Sequence, residues 1–559
     1  MFKAHPLPTI IALLLSLIVG VRHAPAGEVN LPDIGSSAEE MMSPEQQHEY
    51  GAYMLHEMRG MNLILDDPLL TDYLNTLGFR LVANSDKPTH PFYFFLLRDN
   101  VINAFAAPGG FIGVNAGLIS TTENESELAA VIAHEIAHIT QSHLVRAFED
   151  AKKSTIPIAL AMLGAAIASR NRNDDTAQAA IVAGTSLIQQ RQINFTRHDE
   201  AEADRIGIQT LTRSKFDPDA MAGFFGRMQH ALRPGAGDEE APELLRTHPV
   251  TVARISDAKS RAETMRKEFD SQISIVDNEY SVDSLLLPPI AVSIAKLKNT
   301  INATPAASYY QLMRERTRVL SAPASNQILA YYSENLHDRP EFNTTANRYG
   351  YALALIANNS PNKALPVIRQ LVAEQPQQLV FQLALAQTEN LVGEHEAALN
   401  RYAQLELQFP RNGALALAHA AALLERADKT NAQLAMELLR PQILEKIDDP
   451  DLHVLFGRAC ELYGDKIRAG EAHAEAALLN GHFEDAINQL RALAKRDDLD
   501  YYQRARIDAR ITALTPVVME LRRRHIKPGD QTAKASNDFC METTDCIRSS
   551  LNGNNYTLQ

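Results

Sequence analysis

Cysteine is scarce in this chain of 559 residues, which contains only Cys460, Cys540 and Cys546. Three cysteines are too few for the disulfide framework of a small secreted scaffold. Cys540 and Cys546 could close a small loop in an oxidising compartment, or they could be free thiols. The length instead leaves room for two or three domains, each with its own hydrophobic core.

Positive charge is also in short supply. Lysine and arginine number 54 against 68 aspartates and glutamates, which gives a formal net charge of −14. Such a surface repels nucleic acids and anionic lipids. We therefore expect no nucleic-acid partner.

The apolar run near the start, residues 9–21, is shorter than the ~20 residues that span a bilayer. Lys3 and His5 precede it, and the small-residue sequence Ala24-Pro25-Ala26 follows, an order typical of a secretory signal peptide. A transmembrane anchor is the alternative, but no cysteine follows the run to accept a lipid. We expect residues 1–26 to be removed on export.

The segment His134-Glu135-Ile136-Ala137-His138 lies within the apolar run 128–139. Histidines four apart share one helix face and can bind one zinc ion, while the intervening glutamate can act as general base. Chance alone produces this pattern in roughly a few per cent of chains of this size, so a helix without a metal is the alternative.

A second helical segment, Glu200-Ala201-Glu202-Ala203-Asp204, can complete the site. A catalytic zinc has three protein ligands and one open position, and Glu200 would be the third ligand. Asp204 follows one turn later and could accept a hydrogen bond from a ligating imidazole. A solvated acidic helix face is the alternative.

These two motifs resemble those of the zinc metallopeptidases that include HtpX and the CAAX prenyl endopeptidases, in which HExxH is followed by ExxxD. Residues 103–110, the sequence Thr247-His248-Pro249 and Arg254 also look like landmarks of this family. The resemblance covers nearly the whole mature chain and is closest to a periplasmic member that acts on outer-membrane β-barrel proteins.

The resemblance implies that His134, His138 and Glu200 bind one Zn²⁺ per chain and that Glu135 is the base. Asp204 is described in this family as a proton donor, which competes with the orienting role above. His248 is implied as a regulatory fourth zinc ligand that shuts the site, and stabilisation of an oxyanion is its alternative role.

The function implied is that of a periplasmic zinc endopeptidase with a chaperone-like repeat module. Its substrates would be unfolded or stalled outer-membrane proteins, and the repeat module would bind the barrel-assembly machinery. The alternative is a non-proteolytic chaperone or scaffold with a latent zinc site.

Local patterns predict the elements around the zinc motif. Residues 43–84 should form amphipathic helices, and residues 92–97 and 110–113 should form strands. Residues 122–125 fit a capping box at the start of the zinc helix. We expect residues 110–115 to be the edge strand that pairs with an extended substrate.

Between the two zinc motifs, the apolar segments 156–168 and 177–188 flank a polar break and predict a helical hairpin. Each arm is too short to span a bilayer. The hairpin is either an ordinary pair of core helices or a lid that covers the cleft or makes peripheral contact with a membrane.

Further along, similar residues recur 34 positions apart, which is the tetratricopeptide period. The pairs are Ala352 with Ala386, Ala364 with Ala398, and Pro376 with Pro410. The register slips near residues 448–450. A generic helical array is the alternative, and in either case the stacked helices present a concave surface for partners.

The expected fold is mainly α: an α+β peptidase domain with a small sheet, followed by an α-solenoid of tetratricopeptide repeats. The Pro-containing link 287–289 marks the main boundary. The predicted divisions are a signal peptide (1–26), a zinc metallopeptidase domain (27–270), linking helices (271–342), a repeat module (343–515) and a polar, disordered tail (516–559).

Overall fold

The computed structural model describes residues 42–147, 196–231, 244–245, 248–279, 308–445 and 449–523. The predicted signal peptide, the hairpin 156–188, the link 287–289, and Cys540 and Cys546 in the tail lie outside the described residues.

Two helices open the described chain, as predicted for residues 43–84. Helix α1 (Pro44–Gly60) begins with a capping box between Ser43 and Gln46. Helix α2 (Pro68–Val82) begins at Asp67, whose side chain accepts a hydrogen bond from the Leu70 amide. Both start with proline, whose fixed φ and missing N–H suit the first helical turn.

Three strands form one small sheet in the order β1-β3-β2. Strand β1 (Tyr93–Leu97) runs parallel to β3 (Phe111–Asn115), and β2 (Ala104–Ala107) runs antiparallel to it. The predicted strand positions are confirmed, but the prediction that residues 110–115 form the edge is wrong. Positive φ angles of 79° and 87° at Gly109 and Gly110 turn the chain so that β3 pairs with β2. Because β3 also pairs with β1, it is the central strand and β2 is an edge.

The zinc-motif helix, α4 (Glu125–Thr140), follows the short helix α3 (Ala116–Thr121). Its N-cap is Asn124, which accepts a hydrogen bond from the Glu127 amide at 3.1 Å. The capping box predicted from Thr122 is therefore wrong. The Thr122 hydroxyl instead donates to a carbonyl at the end of α3, 3.1 Å away at Ile119.

Helix α4 is the centre of the peptidase region. It packs against α2, against the edge strand β2 and against helix α6 (Ala220–Ala231). Helix α5 (196–213) crosses α4 closely at Gly207, where a Cβ atom would lie 3.3 Å from the backbone of His134. Helix α7 (Val252–Glu279) packs on α6.

Helices α8 (Tyr309–Leu320) and α9 (Ser325–Asp338) lead from the peptidase region to the repeats. Helix α8 packs on both α2 and α3, and the Tyr310 hydroxyl donates to the Thr122 carbonyl at 2.6 Å. One hydrophobic core runs from α2 and α4 through α8 into the first repeats.

The rest of the described chain consists of stacked helix pairs. First helices begin at Thr345, Leu379 and Gly413, 34 residues apart, and the next begins at Pro450 after 37 residues. The slip predicted near 448–450 is thus present, and the mainly α fold with a small sheet and helical repeats is confirmed. The helices are α10 (Thr345–Ala357), α11 (Pro361–Glu374), α12 (Leu379–Leu391), α13 (His395–Gln408), α14 (Gly413–Leu424), α15 (Lys429–Glu445), α16 (Pro450–Tyr463), α17 (Lys466–Leu479), α18 (Phe483–Ala494) and α19 (Tyr501–Arg523).

Among the residues described, we find no helix with the length and apolar character needed to cross a membrane.

Candidate metal centre

The side chains predicted to bind zinc lie together between two crossing helices. Helix α4 supplies His134 and His138, α5 supplies Glu200, and the segment after residue 245 supplies His248. One potential ligand atom from each lies within 4.8 Å of the others. The α4 histidines, Glu200 and His248 come from three separate parts of the sequence, so the tertiary fold brings them together.

The spacing of these atoms suits a tetrahedral metal. His134 Nε2 lies 3.0 Å from His138 Nε2 and 3.4 Å from Glu200 Oε2, and His138 Nε2 lies 3.5 Å from Glu200 Oε1. His248 Nδ1 lies 2.8 Å from Glu200 Oε1 and 3.4 Å from His134 Nε2. Ligand atoms ~2.0–2.1 Å from a tetrahedral zinc are about 3.3 Å apart, so nitrogen and oxygen donors at this spacing fit that ion.

The Glu135 carboxyl faces this cluster from the same helix and is 1% exposed. Within the described residues its Oε1 atom has no hydrogen-bond partner, and His248 Nε2 is 3.6 Å away. Burial raises the pKa of Glu135, opposed by the positive charge of the neighbouring histidines and by a hydrogen bond with the Ala106 backbone. A buried carboxyl with a raised pKa and a free oxygen is suited to accept a proton.

Asp204 and Arg254 support His134 and Glu200 from behind. Asp204 Oδ1 lies 3.0 Å from His134 Nδ1. The Arg254 guanidinium contacts both Asp204 oxygens at 2.7 Å and Glu200 Oε2 at 2.8 Å. Burial opposes ionisation of Asp204, but hydrogen bonds with Arg254 and His134 outweigh it and lower its pKa. This geometry favours the role of orienting His134 over that of proton donor.

The carboxylates of Asp204 and Glu200 favour positive charge on the neighbouring histidines. Burial alone would lower the pKa of His134, but hydrogen bonds with Asp204 and Glu200 raise it to about 10. Burial and the charge on His134 hold the pKa of His138 well below its usual value. The negative charge of Asp204 and Glu200 that favours a proton on His134 also favours a divalent cation.

His248 lies between Glu200 and Glu135. Its backbone N–H donates to the Leu244 carbonyl at 2.8 Å, and Arg254 donates to the Pro249 carbonyl at 3.0 Å, which fixes the segment. The ring points Nδ1 at Glu200 and Nε2 at Glu135. In this position the imidazole can supply a fourth ligand nitrogen.

The sequence reasoning missed His143. Its Nδ1 atom lies 2.8 Å from His138 Nδ1, and its Nε2 atom lies 3.1 Å from Glu202 Oε2. The only indication of His143 in the sequence was its position five residues after His138. In a continuous helix that position faces away, so the spacing alone gave no reason to include it.

Comparisons with known proteins agree with this geometry. Residues 68–262 match the model of Peptidase family M48. The chain is 32% identical over 486 residues to the "Beta-barrel assembly-enhancing protease" of Escherichia coli K12, covering 87% of this chain and 91% of that protein. It is 29% identical over 512 residues to the "Putative beta-barrel assembly-enhancing protease" of Vibrio cholerae, covering 92% and 98% of the two chains.

A more distant relative is the "Mitochondrial metalloendopeptidase OMA1" of Schizosaccharomyces pombe, 29% identical over 211 residues, which covers 38% of this chain and 56% of that protein. The residues matched by the family model include both helices of the metal cluster. The chain therefore belongs to peptidase family M48 and is a metallopeptidase.

Proposed function

We propose that the chain is a zinc endopeptidase in which His134, His138 and Glu200 hold one zinc ion and Glu135 is the general base. The observation that supports this most is the convergence of their ligand atoms beside the unpartnered oxygen of Glu135. Zinc bound there would polarise the scissile carbonyl and make a water molecule more acidic. Glu135 Oε1 would take the proton from that water and return it to the leaving amide nitrogen.

The substrate would bind as an extended segment along β2. Within the described residues, Ala104–Ala107 pairs with β3 on one side only, and β2 packs against α4. Addition of a strand to such an edge uses main-chain hydrogen bonds, which tolerate many side chains. The Ala106 backbone, which interacts with Glu135, would place the cleaved bond near the base.

His248 would act as a regulatory fourth ligand. Its Nδ1 atom already lies among the ligand atoms of His134 and Glu200. A ring nitrogen in this place excludes water from the position that Glu135 serves, so its withdrawal would start catalysis. The alternative role, stabilisation of an oxyanion, predicts the opposite effect of mutation.

The relatives' names suggest the biological task. We propose that the substrates are unfolded or stalled outer-membrane β-barrel proteins and that the chain works in the periplasm after removal of residues 1–26. The stacked helices from Thr345 onward would form a tetratricopeptide module that binds the barrel-assembly machinery.

A second function, a chaperone or scaffold without proteolysis, is favoured by the position of His248 among the ligands and by the size of the helical array. The deciding experiment gives the purified chain an unfolded outer-membrane β-barrel protein, with a chelator and then with added zinc. Cleavage that the chelator abolishes and zinc restores supports the peptidase. Suppression of aggregation without any cleavage, in both the wild-type chain and His248→Ala, supports the chaperone.

A further inference from the structure

The two histidines on α4 are supported from behind by different chemical groups. His134 Nδ1 faces a carboxylate, that of Asp204. His138 Nδ1 instead faces another imidazole, His143, at 2.8 Å. The His143 side chain is buried, and its other nitrogen faces Glu202 at 3.1 Å.

The contact between His138 and His143 is possible because the helix is interrupted between them. Helix α4 ends at Thr140, and Ser142 adopts a left-handed φ of 55° before helical structure resumes at His143. In an uninterrupted helix, residue i+5 lies about 140° around the axis from residue i, too far for two rings to meet. A left-handed serine is unfavourable by about 1 kcal/mol, so other contacts must hold this turn.

An arginine supplies those contacts. Arg146 Nη2 lies 2.9 Å from Asp199 and 3.2 Å from Glu202, and Nη1 donates to the Gln141 carbonyl at 3.3 Å. The guanidinium therefore occupies the cation position between Asp199 and Glu202. This excludes the reading of His143, Asp199 and Glu202 as a second metal site, although their ligand atoms lie close enough for one.

The hydrogen positions follow from proton counting. If His138 Nε2 faces a metal, its Nδ1 carries the ring proton and must donate it. His143 Nδ1 is the acceptor within reach, so the His143 proton lies on Nε2 and is donated to Glu202. The chain of donors then runs in one direction, from His138 to His143 to Glu202.

We propose that His143 is a positioning residue that fixes the ring and tautomer of His138 as a metal ligand, with Glu202 and Arg146 holding His143 in place. This inference rests on the proposed zinc site. The ligand that α4 contributes at its C-terminal end is thereby tied to the start of α5, the helix that carries Glu200. Loss of an outer partner of this kind typically weakens metal binding 10–100-fold.

The test measures zinc affinity of the full mature chain by competition with a chromophoric chelator. We expect His143→Leu, which keeps the bulk of the ring, to weaken zinc binding about 10–100-fold. His143→Asn places an amide oxygen near the position of Nδ1 and should recover most of the lost affinity. The visible spectrum of the cobalt-loaded chain should change in His143→Leu and return toward that of the wild type in His143→Asn.

Two controls separate the possible failures. Leu144→Ala, at a neighbouring side chain that is 41% exposed, should bind zinc like the wild type. His134→Ala should bind none at this site; if it binds as much zinc as the wild type, the proposed zinc site is itself wrong and the role of His143 falls with it. If wild type and His134→Ala differ as expected but folded His143→Leu binds zinc as tightly as the wild type, only the positioning role is refuted.

If His143→Leu does not fold, the Glu202→Ala variant tests the positioning role of His143 instead. Glu202 is partly exposed, and Glu202→Ala keeps the His143 ring in the chain but removes the carboxylate that accepts its Nε2 proton and holds it. A smaller loss of affinity in the same direction supports the chain of hydrogen bonds, and wild-type affinity overturns it.

Discussion

Arg316 and Asp67 form a two-pronged ion pair that joins α8 to the first turn of α2. Arg316 Nε lies 2.8 Å from Asp67 Oδ1, and Nη2 lies 2.6 Å from Oδ2. Asp67 also caps α2, and Arg316 also donates to the Tyr349 hydroxyl in α10 at 3.1 Å. One largely buried pair thus connects the peptidase region, the linking helices and the first repeat helix.

Arg316→Ala should destabilise the folded chain, because it leaves the Asp67 carboxylate buried without its partner. Breaking a buried pair in this way costs about 3–5 kcal/mol. The matched control is Arg369→Ala, which breaks the exposed pair with Glu394 and should cost under ~1 kcal/mol. Denaturant unfolding of both variants gives the comparison; equal midpoints would contradict the structural importance of the Arg316 pair.

Removal of everything after residue 300 should impair the peptidase region itself. Leu312 and Met313 of α8 are fully buried in the core shared with α2 and α4. Their loss would expose apolar surface, which favours aggregation. We expect residues 27–300 to show more aggregation and a lower melting temperature than residues 27–342, measured by light scattering and calorimetry. Equal behaviour would show that the shared core is dispensable.

Glu135→Gln should separate metal binding from catalysis. The amide keeps the shape of the side chain but cannot accept the proton from water, and base catalysis contributes about 10²–10⁴ in rate. We expect wild-type zinc content by metal analysis and a loss of cleavage of that order. Undiminished turnover in this variant would refute the assigned base.

His248→Ala should raise basal cleavage or autolysis. The ring lies among the ligand atoms of His134 and Glu200, so its removal opens a position for water. The assay compares initial cleavage rates at equal zinc content. A fall in rate with zinc content unchanged would favour the oxyanion role instead.

Zinc binding should release about one proton at neutral pH. In the metal-free chain the pKa of His134 is raised to about 10, mainly by Asp204 and Glu200 acting against burial, so the ring is charged at pH 7. A metal ion must displace that proton, and zinc affinity should fall about tenfold for each pH unit of acidification.

The same raised pKa sets the pH dependence of the metal-free fold. A histidine with a folded pKa above its unfolded value of about 6.5 contributes stability that is complete below pH ~6.5 and is lost as the pH rises through about 10. The proton release predicted for zinc binding is measured by calorimetric titration with zinc in buffers of different ionisation enthalpy. A zinc-binding enthalpy that does not depend on the buffer would contradict the predicted proton release.

Local sequence patterns predicted the helices, the strands and the paired motifs well, because periodicity and charge act within a few residues. The capping box failed locally, because Asn124 rather than Thr122 caps α4. The other features that the sequence did not predict depended on the path of the chain in three dimensions. The strand order follows from the turn at Gly109 and Gly110, and the contact of His143 with His138 follows from a left-handed serine. The close approach of α5 to α4 is eased by Gly207, where a Cβ atom would crowd the His134 backbone. None of these structural features can be predicted from the periodicity of hydrophobic residues alone.

Within the described residues β2 pairs on one side only, and if β-barrel clients add a strand there, as proposed above, this has a consequence for timing. A strand can pair with β2 only while its own backbone N–H and C=O groups are free, and closure of a barrel removes every such edge. A client that closes quickly would therefore escape, whereas one that stalls would stay open long enough to be caught. Selection would then depend on how long a strand remains unpaired, so two clients with identical sequences could meet different fates.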